Sequence, residues 1–187
     1  GIRIAKGRAE MVTISRYISP LGGITLASDG EALTGLWFDG QKYFGDTLPD
    51  AYREAECPVF GLAKRWLDTY FAGQQPDFTP PLTLWGSPFR LAVWEQLMRI
   101  PYGQVTTYGA IAAQLAAQQG GKRVSAQAVG GAVGHNPVSI IVPCHRVVGS
   151  SGSLTGYAGG VDKKAALLRL EGADMGRLFV PQKGSAL

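Results

Sequence analysis

The sequence predicts an α+β protein with two domains: a sheet-and-helix domain over residues 11–81, then a helix-turn-helix domain over residues 85–172. Short β-type segments separated by glycine turns fill the first part of the chain, and helix start signals recur through the second. The charge changes at the same place. Residues 1–84 contain 8 Lys and Arg against 10 Asp and Glu, whereas residues 85–187 contain 10 against 4. A net charge of −2 followed by +6 indicates two units with different surfaces.

The first domain begins with three predicted strands. They cover residues 12–18 (VTISRYI), 23–28 (GITLAS) and 32–38 (ALTGLWF), and the pairs Gly22-Gly23, Asp29-Gly30 and Asp39-Gly40 lie between or after them. Such pairs favour tight hairpin turns. A helix is predicted from Pro58 to Ala72, because its apolar residues recur at the spacing of one helix face. Residues 75–81 (QPDFTPP) end this pattern and form the predicted linker.

Three helices are predicted in the second domain from their N-caps. Ser87 followed by Pro88 starts a helix that continues to about Arg99, Thr106 or Thr107 starts another, and Ser125 starts the third. The last two are short and joined by a polar glycine turn, which is typical of a helix-turn-helix with a wing-like continuation. The β-branched apolar run before Cys144 then predicts a strand that ends at Pro143.

The segment IVPCHRVVG at residues 141–149 places Cys144 directly before His145. A thiolate is the reactive form of cysteine, and neighbouring cationic groups can lower a thiol pKa from about 8.5 to as low as ~3.5. The alternative is a cysteine packed as a small buried hydrophobe. The chain has only two cysteines and two histidines, so the pairing uses half of each kind and favours an activated nucleophile.

The composition excludes several classes. Cys57 and Cys144 are far apart and neither belongs to a Cys-x-x-Cys pair, which argues against a disulfide framework or a usual zinc site and favours a reducing, intracellular setting. We expect no membrane span and no signal peptide. Residues 1–10 (GIRIAKGRAE) are expected to be an added or flexible leader, and residues 173–187 a C-terminal tail. The basic second half favours a polyanionic partner, although a merely solvated cationic surface is the alternative.

The third predicted helix, SAQAVGGAVG, contains Gly130, Gly131 and Gly134. Glycine within a helix costs about 1 kcal/mol relative to alanine, so three of them suggest that something approaches this backbone closely. The approaching group is either a neighbouring helix or an external partner.

Together, PCHRVVG, the upstream GHNPV at residues 134–138 and the downstream GSLTGYAGG at residues 152–160 resemble the O6-alkylguanine-DNA alkyltransferases. The resemblance extends over residues 85–172. The N-terminal part resembles the first domain of that family in length and pattern, which implies a ribonuclease-H-like fold. The implied reaction is repair of O6-alkylguanine, with O4-alkylthymine as an open second substrate, by irreversible transfer of the alkyl group to a cysteine. Each molecule reacts once, without metal or organic cofactor.

Five residues match the family's catalytic groups. Cys144 matches the alkyl acceptor, and His145 matches the base that acts through a bridging water. Glu171 matches the carboxylate that orients this histidine, and on residues alone it would be a surface glutamate at a helix end. Tyr108 matches the tyrosine that helps rotate the nucleotide and donates to the base. Lys164 matches a lysine near the thiol.

The remaining matches concern DNA and the support of the site. Asn136 matches an asparagine that braces the turn before the active-site strand, and Pro143 and Arg146 are expected to be structural. Gly156, Gly159 and Gly160 give room to a loop over the flipped base. The residues expected to contact DNA or the base are Arg123, Ser125, Ala126, Gln127, Gly130, Gly131, Tyr157 and Ala158, with Lys122 nearby. Gln127 departs from the family, because many members carry an arginine there.

The implied partner is double-stranded DNA carrying alkylated guanine, bound through its minor groove by a monomer located in the cytoplasm, on the nucleoid of a prokaryote. Two other functions stay open. One is lesion binding without transfer, as in the alkyltransferase-like proteins, although those replace the acceptor cysteine. The other is a cysteine hydrolase that uses Cys144, His145 and Glu171 and turns over its substrate.

Overall fold

The structure is a computed structural model that describes residues 2–4 and 11–181, and it divides into two compact units. The first unit runs to Gly86 and also includes Pro137–Ile141, and the second comprises Ser87–Asn136 and the chain from Val142 onward. Within the expected leader, Ile2–Ile4 forms a strand, so this part belongs to the sheet. Its other positions lie outside the described residues, as do residues 182–187 of the expected tail.

In the described residues of the first unit, the strands form one six-stranded sheet. Its strands are β1 Ile2–Ile4, β2 Val12–Ser19, β3 Gly22–Ser28, β4 Leu33–Phe38, β5 Tyr52–Glu54 and β6 Leu82–Leu84, in the order β1-β6-β4-β3-β2-β5. The central strands β2, β3 and β4 are antiparallel, as the predicted turns require, and the other pairings are parallel. Helix α1, Pro58–Phe71, packs against β2, β3 and β4 through its buried apolar face.

The prediction of a strand directly before Cys144 is wrong. Only Val138 pairs with the sheet, in an isolated bridge with Leu36 of β4, and the chain then turns. Ile140 has a φ of 70°, a left-handed conformation that a β-branched residue rarely adopts. The backbone amides of Ile141 and Cys144 donate to carbonyls only two residues earlier. Local turns therefore provide the hydrogen-bond partners of these backbone amides, and the segment does not pair as a β-strand.

Four helices form most of the described part of the second unit. They are α2 Pro88–Leu97, α3 Tyr108–Gln118, α4 Ala126–Gly134 and α5 Val161–Leu170. A short parallel pair, β7 Thr106–Thr107 and β8 Val147–Val148, lies beside them, and a single 3-10 turn covers Cys144–Arg146.

The starts of α2, α3 and α4 agree with the predicted N-caps, whereas α5 begins after Gly160 without a side-chain cap. The side chains of Ser87, Thr107 and Ser125 each accept a hydrogen bond from the backbone amide three residues later. Helix α4 packs against both α2 and α3, and the indole of Trp94 donates to the carbonyl of Ala132 at 2.8 Å. The predicted α+β class is confirmed, with a sheet in the first unit and a helix-turn-helix in the second. Within the described part of the chain, no helix combines the length and apolar character needed to cross a membrane.

Candidate active site

Cys144 lies at the start of the 3-10 turn, directly after Pro143, and is 3 % exposed. Burial raises the pKa of its thiol above the ordinary value, while a hydrogen bond with Asn136 and the charge of Lys164 act in the opposite direction. The side-chain amide of Asn136 also donates to the carbonyl of Val142 at 2.8 Å, which fixes the backbone two residues before the sulfur. The thiol that sequence context predicted to be activated is therefore protonated in the free protein, and it needs a base at the moment of reaction.

His145 and Glu171 form a buried pair. The Nε2 atom of His145 lies 2.5 Å from Oε2 of Glu171, and neither side chain is exposed. Burial lowers the pKa of His145, with Glu171 acting in the opposite direction, so the imidazole is neutral near neutral pH. We assign the ring proton to Nε2, where the carboxylate accepts it. This tautomer puts the lone pair on Nδ1, the nitrogen that can take a proton.

Arg146 holds the same carboxylate from its other side. Its Nε donates to Oε1 of Glu171 at 2.8 Å, and its Nη2 donates to Oε2 at 3.1 Å. The backbone amide of Gly103 donates to Oε1 at 3.0 Å. Burial pushes the pKa of Glu171 upward, but the hydrogen bonds and charges of His145 and Arg146 outweigh it and hold that pKa well below the usual range. Glu171 is therefore a carboxylate.

Sequence reasoning expected Arg146 to be structural and did not identify its partner. Its Nη1 does anchor the backbone, because it donates to the carbonyl of Ile100 at 2.7 Å, and its guanidinium lies 5.7 Å from the centre of the Tyr102 ring. A usable signal existed, since an arginine in an apolar segment needs a carboxylate and residues 85–187 contain only four acidic residues.

Tyr108 and Lys164 meet at one carbonyl. The hydroxyl of Tyr108 donates to the oxygen of Thr155 at 2.7 Å, and Nζ of Lys164 donates to the same oxygen at 2.8 Å. Lys164 is fully buried and also donates to the carbonyl of Val147. Burial lowers the pKa of Lys164 to about 8, against the charge of Cys144. Burial, followed by the charge of Cys144, raises the pKa of Tyr108, which stays a hydrogen-bond donor.

The loop after Thr155 lies close to this cluster. Gly156 has a φ of 87°, and a Cβ placed on it would lie 2.5 Å from the hydroxyl of Tyr108, so glycine is required for both conformation and space. Tyr157 is 8 % exposed, and its ring meets the imidazole of His145 edge-on at 6.4 Å. Ala158 follows it and is half-buried.

The start of helix α4 is an exposed surface. Arg123, Ser125, Ala126 and Gln127 are all exposed there. A Cβ on Gly131 would meet nothing within 4 Å, and one on Gly130 would be 3.9 Å from the Tyr108 ring, an ordinary contact. Packing within the protein therefore requires neither glycine.

The second unit thus brings together most of the residues predicted for the site. Contacts and charge interactions connect Cys144, His145, Glu171, Tyr108, Lys164, Asn136 and Tyr157, with Arg146 behind the carboxylate and Pro143 before the thiol. Sequence reasoning missed the backbone groups that these side chains use, namely the carbonyls of Ile100, Val147 and Thr155 and the amide of Gly103. No side-chain signature marks a backbone acceptor. Among the described residues, no group of three His, Cys, Asp or Glu side chains could hold a metal ion.

Comparisons with known proteins match both units. The family described as "6-O-methylguanine DNA methyltransferase, ribonuclease-like domain" matches residues 12–84, and its "DNA binding domain" matches residues 88–173. The chain is 46% identical over 154 residues to a methylated-DNA–protein-cysteine methyltransferase of Mycobacterium tuberculosis, covering 82% of this chain and 88% of the relative. A relative of the same name from Haemophilus influenzae is 39% identical over 156 residues, covering 83% of each.

The fold is also similar to solved structures. A crystal structure of Mycobacterium tuberculosis OGT in complex with DNA superposes with a TM-score of 0.74 at 43% identity, covering 86% of this chain and 92% of that one. A crystal structure of the Mycobacterium tuberculosis O6-methylguanine methyltransferase gives a TM-score of 0.73 at 44% identity, covering 86% of this chain and 93% of that one. These matches confirm the expected fold class, a ribonuclease-like sheet domain followed by a helical domain.

Proposed function

The chain belongs to the 6-O-methylguanine DNA methyltransferase family, and from this premise we propose that Cys144 is the residue that takes the alkyl group from damaged DNA. The protein is a methylated-DNA–protein-cysteine methyltransferase that acts on alkylated DNA. The observation that carries the assignment is the buried Cys144, followed in sequence by His145, whose ring lies 2.5 Å from Glu171.

The transfer forms one bond and breaks one. The sulfur of Cys144 attacks the alkyl carbon bound to O6 of guanine, the carbon–oxygen bond breaks, and its electron pair stays with the base. The thiol proton passes toward Nδ1 of His145 through the bridging water that the family resemblance implies. Guanine takes one proton from solvent and His145 then releases one, so that one proton moves from sulfur to the base overall. The thioether has no route back to a thiol, so each molecule reacts once.

A donor that faces the leaving base is supplied by Tyr108. Its raised pKa keeps the hydroxyl protonated, and in the free protein the hydroxyl donates to the carbonyl of Thr155. A flipped base that enters the site takes this hydrogen bond, while Lys164 still satisfies the carbonyl. Donation to the base stabilises the charge that develops as the carbon–oxygen bond breaks.

The DNA contacts are proposed along the exposed start of α4. A base inside a duplex cannot reach a buried sulfur, so the lesion must leave the stack at a cost of a few kcal/mol. Gln127 is exposed near this end and is proposed to occupy the vacated space, with Arg123 and Ser125 beside the backbone. Gly130 and Gly131 leave room for the minor groove. We place this reaction on the chromosomal DNA of the cytoplasm, where the substrate lies.

The proposal is tested by incubating the protein with a duplex that contains O6-methylguanine and analysing its tryptic peptides by mass. Cys144 lies in the peptide 124–146 and Cys57 in the peptide 54–64, so the two thiols are read separately. We expect one equivalent of methyl on the Cys144 peptide and no second turnover. Methyl on the Cys57 peptide, or continued turnover as in a hydrolase, would reject the assignment. A parallel duplex with O4-methylthymine tests that second substrate.

The relay is tested separately with His145→Ala, Glu171→Gln and the double variant. Each single change should slow the transfer, and the double variant should lose little more, because residues that act as one unit are non-additive. Multiplicative losses would show that the two side chains act independently.

A further inference from the structure

Glu171 accepts from an arginine as well as from the histidine it is proposed to orient. Both of its oxygens receive a hydrogen bond from Arg146, at 2.8 Å and 3.1 Å, and the carboxylate is fully buried. A guanidinium that donates to both oxygens fixes the plane of a carboxylate, which a single donor cannot do. Arg146, together with the backbone amide of Gly103, therefore fixes which way Oε2 of Glu171 faces, and Oε2 is the atom that contacts His145.

Arg146 also affects the protonation of the pair formed by His145 and Glu171. A buried carboxylate without a full positive charge beside it stabilises a proton on its neighbour, and the nearest acceptor here is the imidazole of His145. With Arg146 in place, the charge of Glu171 is already balanced, and burial lowers the pKa of His145. A protonated imidazole cannot take the proton of Cys144.

We propose that Arg146 is a positioning residue of the alkyl transfer, which orients and neutralises Glu171 so that His145 remains a neutral base. This inference rests on the proposed function, since it concerns the same relay. It goes beyond the expectation that Arg146 is structural, because it assigns to the guanidinium a control over the protonation of His145, the residue that takes the thiol proton.

Several charged and titratable groups face His145 and must be considered together. Glu171, just after α5, favours the imidazolium, whereas Arg146 and Lys164 of α5 oppose it. Cys144 is its neighbour in sequence, and the Tyr157 ring meets the imidazole edge-on. Removal of Arg146 leaves Lys164 as the opposing cation against the full charge of Glu171. Because a charge within about 4–6 Å shifts a pKa by roughly 1 to 3, the pKa of His145 should rise by about that amount.

Two substitutions separate this role from simple packing. Arg146→Gln removes the charge and the two-point contact, whereas Arg146→Lys keeps the charge and loses the planar geometry. Arg169→Gln is the matched control, because it removes one positive charge from an exposed position on α5. The chain has only two histidines, so imidazole titration by NMR, assigned with His135→Gln, reads His145 directly.

We expect His145 of Arg146→Gln to titrate at least about one pH unit higher than in the wild type, and the acid limb of the transfer rate to move upward with it. In Arg146→Lys, His145 should titrate as in the wild type, but the alkyl transfer should be slower than in the wild type. Arg169→Gln should match the wild type in both measurements. An unchanged His145 titration in Arg146→Gln would overturn the inference, as would an acid limb that does not move.

The double variant Arg146→Gln/Glu171→Gln keeps the test decisive where the single variant does not fold, because it removes both members of the buried ion pair and does not leave Glu171 without its arginine. Its His145 should titrate at or below the wild-type pH, and a higher value would overturn the inference. The titrations require no alkyl transfer. A wild-type protein that transfers no methyl to Cys144 therefore contradicts the proposed function, whereas unmoved titrations in a protein that does transfer contradict only the role of Arg146.

Discussion

Lys164→Met should make the stability of the protein respond differently to pH. The ammonium of Lys164 is fully buried, and burial lowers its pKa from the ordinary 10.5 to about 8. In the folded protein it therefore loses its proton at a lower pH than in the unfolded chain. Since the unfolded chain binds more protons between these two values, this group makes the free energy of unfolding rise as pH increases from about 8 to about 10.5.

The size of the effect follows from the shift. Each pKa unit corresponds to about 1.4 kcal/mol, so a lysine with these two pKa values adds about 2 kcal/mol to the free energy of unfolding between about pH 7 and about pH 9.5. Methionine is similar in length and does not titrate. Lys164→Met also leaves the carbonyls of Val147 and Thr155 without this donor, which costs stability at every pH to the same extent.

Guanidinium chloride unfolding of both proteins at the two pH values measures this effect. At each pH, the free energy of unfolding of the variant is subtracted from that of the wild type. The cost of the lost donor is the same at both pH values, so it cancels when these two differences are compared. Tyrosine ionisation is common to both proteins, and a Cys144→Ala background in both removes the thiol, whose pKa Lys164 lowers. We expect the wild type to gain about 2 kcal/mol over the variant at the higher pH. A difference that is the same at both pH values would refute a lowered pKa at Lys164.

Three further predictions concern the loop after Thr155, the exposed start of α4 and the alkyl acceptor. Gly156→Ala should slow the transfer at least about tenfold, because the added Cβ displaces the hydroxyl of Tyr108. The control Gly30→Ala carries similar backbone strain but no contact, so its transfer rate should equal that of the wild type. Equal rates in the two variants would contradict the role of the contact. Gln127→Arg should tighten DNA binding and steepen its salt dependence by about one released counterion, and unchanged binding would remove this residue from the interface. Cys144→Ala should abolish the transfer but retain affinity for alkylated duplex in a gel-shift titration, and continued guanine release would identify another acceptor.

The helix starts could be predicted because capping is a local interaction. Ser87, Thr107 and Ser125 each satisfy an amide only three residues away, so the signal lies within four positions of sequence. The three hairpin strands were predictable for the same reason, since glycine turns join neighbours in the chain.

Short parallel strands and the segment before Cys144 were not predictable in this way. Strands β1, β5 and β6 have three residues each and find partners far along the chain, so no local pattern marks them. The apolar run before Cys144 reads as a strand, but the left-handed Ile140 and two tight turns interrupt it. β-Branched residues disfavour that conformation, which tertiary structure imposes here against local preference.

The same contrast between local and long-range contacts decides which site residues could be predicted. Cys144 and His145 are adjacent, so their pairing is visible in the sequence alone. Glu171 lies 26 positions from His145, and only the family resemblance singled it out from other glutamates. The two-point contact of Arg146 and the shared carbonyl of Thr155 depend on how the turn and α5 pack, and no residue pattern encodes them.

The charges of the second unit indicate how a protonated thiol can still become a nucleophile. Among the described buried groups, the cations Arg146 and Lys164 accompany one carboxylate, Glu171, so the site carries an excess positive charge while Cys144 is a thiol. Loss of the thiol proton balances this charge, and the two groups accordingly act on each other: Lys164 lowers the pKa of Cys144, and Cys144 raises that of Lys164. Burial opposes the thiolate of Cys144, and the nearby positive charge reduces this penalty without removing it. We expect a base that enters the pocket to exclude water and strengthen this pairing, so that the thiol gains reactivity when its substrate is in place.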